Sequence, residues 1–299
     1  MAVPRTRHEA EALAARLPPL MVQAERVAAT VAQGVHGRRR VGSGDSFWQF
    51  RAYVPGDPVS RIDWRETAKS ERAYVRENEW EAAQSVWLWH DRSASMNWRS
   101  DRNLPTKRDR AALLLLALAA LLVRGGERVT LLGSGVPPAH GRAVLDRLAL
   151  TIERAGATSD GLPRVEPLPR HGSVVLVGDL LMPLNELHDV LAGYAALGVR
   201  GHLLQVLDPA EESLPFEGRV RFEGLEREGA LLISRVETVR EQYQMRLAAH
   251  NAGLAALARS QGWSLAHHRT DQPPHRALLA LYGMMSGGLP PGHALQRGA

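Results

Sequence analysis

The sequence contains no cysteine, which excludes disulfides, thiol catalysis and thiolate metal sites. It also lacks long apolar runs. The longest, residues 111–123, has thirteen residues, whereas a helix needs about 20 to cross a bilayer. The first residues carry charges between Arg5 and Glu11 instead of the apolar core of a secretion signal. We therefore expect a globular, cytoplasmic protein that does not insert into membranes.

Lysine is nearly absent as well. Lys69 and Lys107 are the only two, so the net charge of +5 comes almost wholly from arginine. The one basic cluster, residues 38–40, is not interleaved with the aromatic side chains that stack on bases in many nucleic-acid-binding proteins. We therefore predict no binding to nucleic acid.

The signatures of several common catalytic sites are missing. The sequence has no Gly-x-x-x-x-Gly-Lys-Ser/Thr phosphate-binding loop and no Gly-x-Ser-x-Gly nucleophile elbow. Its twelve histidines are scattered, and His267, His268 and His275 do not have the spacing of metal ligands. These absences favour a protein without enzymatic activity.

Short and long apolar segments alternate along residues 83–287. Short runs bounded by turn residues predict strands, and longer runs predict helices. This alternation is typical of an α/β fold in which helices cover both faces of a mostly parallel sheet. The predicted strands are 86–90, 128–132, 174–178, 202–207 and 263–267, and the predicted helices are 109–123, 139–155, 184–197, 235–260 and Pro274–Met285.

Three parts are predicted along the chain. Residues 1–82 form an N-terminal extension, which is helical over its first 35 residues and irregular afterwards. Residues 83–287 form the α/β domain. Residues 288–299 contain proline and glycine and are expected to form a flexible tail.

The most informative motif follows the apolar run 86–89. Asp91, Ser93 and Ser95 form an Asp-x-Ser-x-Ser pattern at the carboxyl end of a predicted strand. One carboxylate and two hydroxyls are hard oxygen ligands of the kind that Mg²⁺ prefers. The pattern resembles the metal-ion-dependent adhesion site of von Willebrand factor A domains. That resemblance implies Thr158 and Asp179 as the two remaining ligands of the ion.

Each of these last two residues also has a purely structural interpretation. Asp179 precedes a predicted helix and is suited to cap it, and Thr158 is suited to a turn in which Ser159 competes for the same role. In a further alternative the whole site binds no metal. Its side chains then cap helices and loops. Arg92 has two possible positions: folded over the pocket, where it would pair with Asp179 in place of the cation, or pointing outward, which would leave the pocket open.

The segment before the Asp-x-Ser-x-Ser motif carries a longer pattern. Residues 42–47 read GSGDSF, 50–58 read FRAYVPGDP, 61–69 read RIDWRETAK, and 207–211 and 214–218 read LDPAE and LPFEG. Together with the motif, this pattern resembles the bacterial family called domain of unknown function fifty-eight, over about residues 36–225. The resemblance implies a von Willebrand factor A-like domain that works with a MoxR-type AAA+ ATPase in chaperone-like assembly or maturation of a client complex.

Five residues of this signature are candidates for binding a partner: Arg51, Asp57, Arg61, Asp63 and Trp64. Arginine stacks on aromatic rings and forms paired hydrogen bonds with carboxylates. The same residues could therefore seal a small subdomain through Arg–Asp pairs, or present a docking surface anchored by the tryptophan.

The sequence thus predicts a non-enzymatic protein-binding module that depends on a divalent metal. A bound Mg²⁺, or Mn²⁺ or Ca²⁺ in its place, would receive an acidic side chain of the partner. A metal-free interaction scaffold is the first alternative. The second is a Mg²⁺-dependent phosphohydrolase with Asp91 as nucleophile or ligand and Asp179 as second carboxylate, although Ser93 stands where such enzymes have a second aspartate.

Overall fold

The computed structural model describes residues 19–35, 47–54, 62–69, 72–78, 83–156, 161–225 and 229–286. The chain divides into two compact units. Residues 35–83 form the smaller one, and residues 1–34 together with 84–299 form the larger one.

The helices and strands of the two units alternate for most of the chain. In chain order they are α1 (Pro19–Val35), β1 (Phe47–Ala52), α2 (Trp64–Thr67), β2 (Tyr74–Asn78), β3 (Ser85–His90), α3 (Lys107–Arg124), β4 (Arg128–Leu131), α4 (Arg142–Arg154), β5 (Ser173–Gly178), α5 (Leu184–Ala196), β6 (Arg200–Leu207), α6 (Pro209–Ser213), β7 (Val220–Glu223), β8 (Ala230–Ile233), α7 (Glu237–Ser260), β9 (Ser264–Arg269) and α8 (Pro274–Met285). A 3₁₀ turn, Ala94–Asn97, follows β3.

Five strands of the larger unit form one sheet in the order β4-β3-β5-β6-β9, and every neighbouring pair is parallel. The α/β fold with a mostly parallel sheet is therefore confirmed. After β4 the chain returns past β3 to form β5, so the direction of winding reverses between β3 and β5. In open α/β sheets, ligands bind at the carboxyl ends of the strands where this reversal occurs.

Helices bury the central strand on both of its faces. All six residues of β5 are buried. Val174 and Leu176 pack in a core cluster with Leu187 and Leu191 of α5 and Leu254 of α7. Because side chains alternate along a strand, the residues between them point to the opposite face, and α3 packs on that side of the sheet.

Helix α3 is the most deeply buried of the described helices that pack against the sheet. Residues 114–122 are all buried, as expected for an apolar run that is not a membrane span. The Thr106 hydroxyl caps its amino end by accepting a hydrogen bond from the Asp109 amide at 3.0 Å. The helix ends at Arg124, before two glycines. This cap fixes where Lys107, the first helical residue, enters the core.

Helix α1 confirms that the first 35 residues include a helix. Its buried stripe consists of Met21, Ala24, Ala28 and Val31, whose spacing of three and four residues places them on one face. Apolar side chains of α1 outside this stripe, such as Val22, are only partly buried.

The smaller unit corrects the prediction that the chain is irregular after residue 35. β1 and β2 pair antiparallel, with a register shift between Phe47 and Gln49. The short helix α2 follows Asp63, whose carboxylate accepts a hydrogen bond from the Arg65 amide at 3.1 Å. The mixed charged and aromatic composition concealed the period-two pattern by which strands are recognised.

One further hairpin was missed in the larger unit. β7 and β8 pair antiparallel over Val220–Glu223 and Ala230–Ile233. Leu231 and Leu232 are 63% and 50% exposed, so this hairpin does not have the buried apolar face that makes a strand readable from sequence. The predicted tail, 288–299, lies outside the described residues.

Candidate functional site

The carboxyl ends of β3 and β5 bring two aspartates to the point where the sheet changes its direction of winding. Asp91 follows β3 and Asp179 follows β5, and the two strands are neighbours. The Asp91 amide donates to the Val177 carbonyl at 2.7 Å, which extends the strand pairing up to the site. Both aspartates are buried, with 1% and 4% exposure. The predicted meeting of the two carboxylates at one edge is what the structure shows.

Gly178 leaves the room that Asp91 occupies. A Cβ atom at position 178 would lie 2.9 Å from the Asp91 Cβ and 3.4 Å from its Oδ2, closer than side chains pack in protein interiors. The last residue of β5 must therefore lack a side chain for Asp91 to lie beside it. In the sequence, the glycine in Val177-Gly178-Asp179 was a readable signal of this close approach.

The two serines of the motif join the aspartates in one hydrogen-bonded group. The Asp91 Oδ1 accepts the Ser93 amide at 2.7 Å. The Ser93 and Ser95 hydroxyls are 3.0 Å apart, and the Ser95 hydroxyl donates to Asp179 Oδ2 at 2.9 Å. Four of the five predicted metal-site residues therefore converge. The fifth, Thr158, lies outside the described residues, as does Ser159.

A lysine that sequence reasoning did not assign to the site completes this group. The Lys107 ammonium lies 2.8 Å from Asp179 Oδ2 and 2.5 Å from Glu211 Oε1, and the residue is 1% exposed. Burial alone would lower the pKa of Lys107. The charges of Asp179 and Glu211 and their hydrogen bonds outweigh this effect, so the pKa is raised and the side chain stays protonated.

A helix cap holds Glu211 against the lysine. Asp208 and Glu211 form a capping box at the start of α6: the Asp208 Oδ1 accepts the Ala210 amide at 2.9 Å, and Glu211 Oε2 accepts the Asp208 amide at 2.8 Å. The other carboxylate oxygen of Glu211 is thereby directed at Lys107. The Asp-Pro-Ala-Glu run of the family-like pattern thus supplies a third carboxyl group to the site.

The cation that pairs with Asp179 is Lys107, so of the two positions considered for Arg92, pairing with Asp179 is not the one observed. Arg92 instead lines a cavity on the β4 side of β3. Asp179 does not cap the following helix either, because α5 begins only at Leu184, with Pro183 at its N-cap. The only signal that could have identified Lys107 was its rarity in a chain whose positive charges are almost all arginine.

The arrangement does not fit a resident divalent ion. An ion at the adhesion-type position would need oxygens of Asp179 and of both serines, but Lys107 already occupies Asp179 Oδ2 and the serine hydroxyls bond to each other and to the same oxygen. An ammonium at hydrogen-bond distance would also repel a second cation strongly in a buried site. Among the described residues, no group of three or more His, Asp or Glu side chains is placed to hold a metal.

The proposed partner-binding residues belong to the smaller unit. Trp64 is 65% exposed at the start of α2, and Asp63 caps that helix. Arg51 lies in β1, and the side chains of Asp57 and Arg61 lie outside the described residues. The Arg–Asp pairs that could seal this unit therefore stay a prediction.

The fold and the site define an α/β protein with a buried lysine–carboxylate cluster where its parallel sheet changes winding direction. The chain belongs to the family described as Protein of unknown function DUF58, which matches residues 49–253. Two relatives, Uncharacterized protein Rv1480 of Mycobacterium tuberculosis (strain ATCC 25618 / H37Rv) and Uncharacterized protein Mb1516 of Mycobacterium bovis, are each 30% identical over 277 residues. Each match covers 87% of this chain and 86% of the relative.

Two solved structures of bacterial proteins are similar to part of this chain. One is the conserved hypothetical protein BatB from Bacteroides thetaiotaomicron, with 14% identity and a TM-score of 0.40. The other is an aerotolerance-related membrane protein from Bacteroides fragilis NCTC 9343, with 16% identity and a TM-score of 0.40. Each comparison covers 69% of this chain and 100% of the other. Within the described residues of the present chain, no helix is long and apolar enough to cross a membrane.

Proposed function

We propose that this chain is a non-enzymatic protein-binding module that uses the carboxyl edge of its sheet, and that it binds its partner without a metal ion. The partner implied by the family resemblance is a MoxR-type AAA+ ATPase, with a chaperone-like role in assembling or maturing a client complex. A cytoplasmic location remains part of this proposal.

The position of the Lys107 ammonium is the observation that supports partner binding without a metal ion. It supplies a buried positive charge where an adhesion-type site would hold its ion, 2.8 Å from Asp179. The serines are satisfied within the same group. A site built in this way keeps its geometry without a metal, because every charge in it already has a counter-charge or a hydrogen bond.

The surroundings of Asp91 support a binding role over a catalytic one. A phosphohydrolase would use Asp91 as nucleophile or metal ligand, yet its Oδ1 accepts the Ser93 amide and the residue is 1% exposed. Outside the sheet, Trp64 supports partner binding, because an exposed tryptophan is a common anchor of protein interfaces.

The metal-dependent form is the second candidate, and the meeting of Asp91, Ser93, Ser95 and Asp179 favours it. In that form Lys107 would have to leave Asp179 when Mg²⁺ enters. The two forms make opposite predictions about chelation, so one experiment separates them.

The test measures binding of the full chain to a purified, nucleotide-free MoxR-type ATPase of the same genome by biolayer interferometry. The titration is made once in excess EDTA and once in Mg²⁺, and Trp64→Ala is measured alongside. Calorimetric titration of the chelator-stripped chain with Mg²⁺ and Mn²⁺ accompanies it, for the native chain, for Asp91→Ala and for the exposed control Asp101→Ala.

We expect equal affinity in both buffers, weaker binding of Trp64→Ala, and no saturable heat from either metal. If binding occurs only with Mg²⁺, and Asp91→Ala but not Asp101→Ala loses the heat of metal binding, the metal-dependent form is correct. If the ATPase binds in neither buffer, the proposed partner is wrong.

A further inference from the structure

A cavity of about 430 Å³ opens at the same edge of the sheet, on the β4 side of β3. The ends of β3 and β4, the last turn of α4 and residues 162–166 form its walls. Its volume lies within the range of about 300–1,000 Å³ that ligand pockets occupy. None of the residues assigned to the lysine–carboxylate cluster lines this cavity.

About half of the cavity wall is apolar. Trp89 of β3, Leu132 after β4, Ile152 of α4 and Leu162 all contribute to it. Trp89 and Leu162 are only partly buried. The wall therefore offers apolar surface that an apolar side chain of a ligand could cover, with a gain of about 25 cal/mol per Å² removed from water.

The charges around the cavity are mainly positive. Arg92 and Arg164 line it, and no carboxylate among the described residues forms an ion pair with either of them. Arg108 lies close by and donates to the Ala155 carbonyl in the cavity wall. Among the described residues of the lining, Glu166 is the one carboxylate. Within the part of the chain that the structure describes, two guanidinium groups thus form no ion pair beside a partly apolar wall, which suits a carboxylate ligand.

One ring nitrogen of a buried histidine in the same wall has no hydrogen-bond partner among the described residues. His90 lines the cavity and is 5% exposed, and its buried Nε2 has no partner among the described residues. Burial, followed by the charges of Arg92 and Arg108, lowers the pKa of His90 to about 4, so the ring is neutral near pH 7. A buried polar atom without a partner is unfavourable by about 1–3 kcal/mol, and a ligand in the cavity would remove that penalty.

We propose that this cavity binds an acidic segment of a partner protein. The carboxylate of an Asp or Glu pairs with Arg92 and Arg164, a neighbouring apolar side chain packs against Trp89, and His90 Nε2 gains a hydrogen bond from the bound segment. The inference rests on the proposed protein-binding function and adds to it the chemistry of the segment that is recognised.

The apolar wall decides between a peptide and a small inorganic anion. Phosphate would satisfy the arginines but would leave the surface of the partly buried Trp89 and Leu162 uncovered. A peptide that carries an acidic residue beside a leucine or phenylalanine covers both kinds of surface at once. The acidic peptide is therefore the occupant that matches the whole cavity.

The experiment selects twelve-residue peptides from a random display library on the immobilised full chain and measures the enriched peptides by titration. Trp89 provides an intrinsic fluorescence signal in the cavity wall. Arg92→Gln and Arg164→Gln are compared with the native chain, and Arg259→Gln, an exposed arginine of α7 far along the chain, is the matched control. Each enriched peptide is also made with its Asp and Glu replaced by Asn and Gln.

We expect enriched peptides to share an acidic residue next to an apolar one and to change the fluorescence on binding. Affinity should fall about tenfold in Arg92→Gln and in Arg164→Gln, and in the amide versions of the peptides, because each change removes a charge-assisted hydrogen bond. Arg259→Gln should bind like the native chain. The small size of the two cavity changes, at side chains that form no ion pair, keeps the fold intact as checked by circular dichroism.

Enrichment of peptides without acidic residues, no enrichment at all, or equal affinity in all variants would each overturn the proposal. Saturable binding of inorganic phosphate that displaces the peptides would assign the cavity to a small anion instead. If the ATPase binds but acidic peptides do not, the cavity proposal fails while the proposed function stands. If acidic peptides bind as expected but the ATPase does not, the cavity proposal stands and the ATPase is not the partner.

Discussion

At the carboxyl edge of the sheet, the end of β5 lies beside a buried lysine that is fully paired, whereas the end of β3 lies beside a buried histidine that is not. Lys107 contacts Asp179 and Glu211. His90, at the neighbouring strand end, leaves its Nε2 without a partner among the described residues and lines an open cavity. The polar cluster between the ends of β3 and β5 is thus closed, whereas the cavity on the β4 side of β3 contains a polar atom without a partner.

The difference shows two roles of buried polar groups, one that stabilises the fold and one that can bind a ligand. A closed cluster stabilises one conformation and offers nothing to a ligand, because each of its groups is already satisfied. An incomplete group reduces stability until something binds. Substitutions at the two places should therefore change stability in opposite directions.

The largest effect is expected for Lys107→Met. This change leaves Asp179 and Glu211 buried without their cation, and breaking a buried pair in this way usually costs about 3–5 kcal/mol. Urea denaturation followed by circular dichroism measures the loss. Arg259→Met, at an exposed arginine of α7, is the control and should change stability by no more than about 0.5 kcal/mol.

A second substitution shows whether the loss of stability in Lys107→Met comes from unpaired charges or from altered packing. If the loss comes from unpaired carboxylates, adding Glu211→Gln to Lys107→Met should recover part of it. A loss below about 1 kcal/mol for Lys107→Met alone would mean that the cluster is not closed as described.

Acid should next affect β6 and β9, the last two strands of the sheet, each of which contains a buried histidine. Burial, followed by the charge of Arg200, lowers the pKa of His202 to about 4. Burial, followed by the charge of Arg110 and opposed by Asp271, lowers the pKa of His268 to about 3. The unfolded chain takes up these protons near pH 6.5, before the folded chain does. Stability is therefore complete above about pH 6.5 and falls as the pH decreases toward about 4, by up to about 3 kcal/mol for each histidine.

Urea midpoints at a series of pH values between neutral and acidic measure this dependence. The slope should become shallower in His202→Gln and in His268→Gln. Unchanged slopes in both variants would show that other groups cause the acid sensitivity.

The smallest effect is expected for His90→Phe, and its sign is opposite to that of Lys107→Met. Phenylalanine fills the same place without an unpartnered nitrogen, so stability should rise by about 1 kcal/mol. The same variant should bind the enriched acidic peptides more weakly than the native chain does. A loss of stability would indicate that the Nε2 of His90 is satisfied in solution, which would remove the contrast between the two sides of the edge.

Elements that bury apolar residues were predictable from sequence. Helix α8 has the predicted bounds, Pro274–Met285, because a proline at its first turn marks the start. β3 was placed within one residue of its observed start, Ser85. By contrast, β1, β2, β7 and β8 were missed, since two-stranded pairs with mixed or exposed side chains lack a clear period.

The candidate site was only half predictable, because some of its residues follow strands of the sheet and others lie in the first turns of helices. Asp91, Ser93, Ser95 and Asp179 could be placed together because each follows a strand of one parallel sheet. Lys107 and Glu211 reach the same point from the first turns of two helices, where charged residues are usually solvated. No pattern of spacing connects a helix-start lysine with a carboxylate 104 residues away. Only the three-dimensional structure shows that connection.

The burial of Lys107 has a practical consequence for labelling. The chain has two lysines; Lys69 is exposed, and Lys107 is 1% exposed and held by two carboxylates. Amine-reactive dyes or cross-linkers applied to the folded protein should therefore modify one lysine side chain, Lys69. A fluorophore or surface tether can then be placed on the smaller unit without introducing a cysteine. Slower reaction at Lys107 would then report when the edge of the sheet opens around that residue.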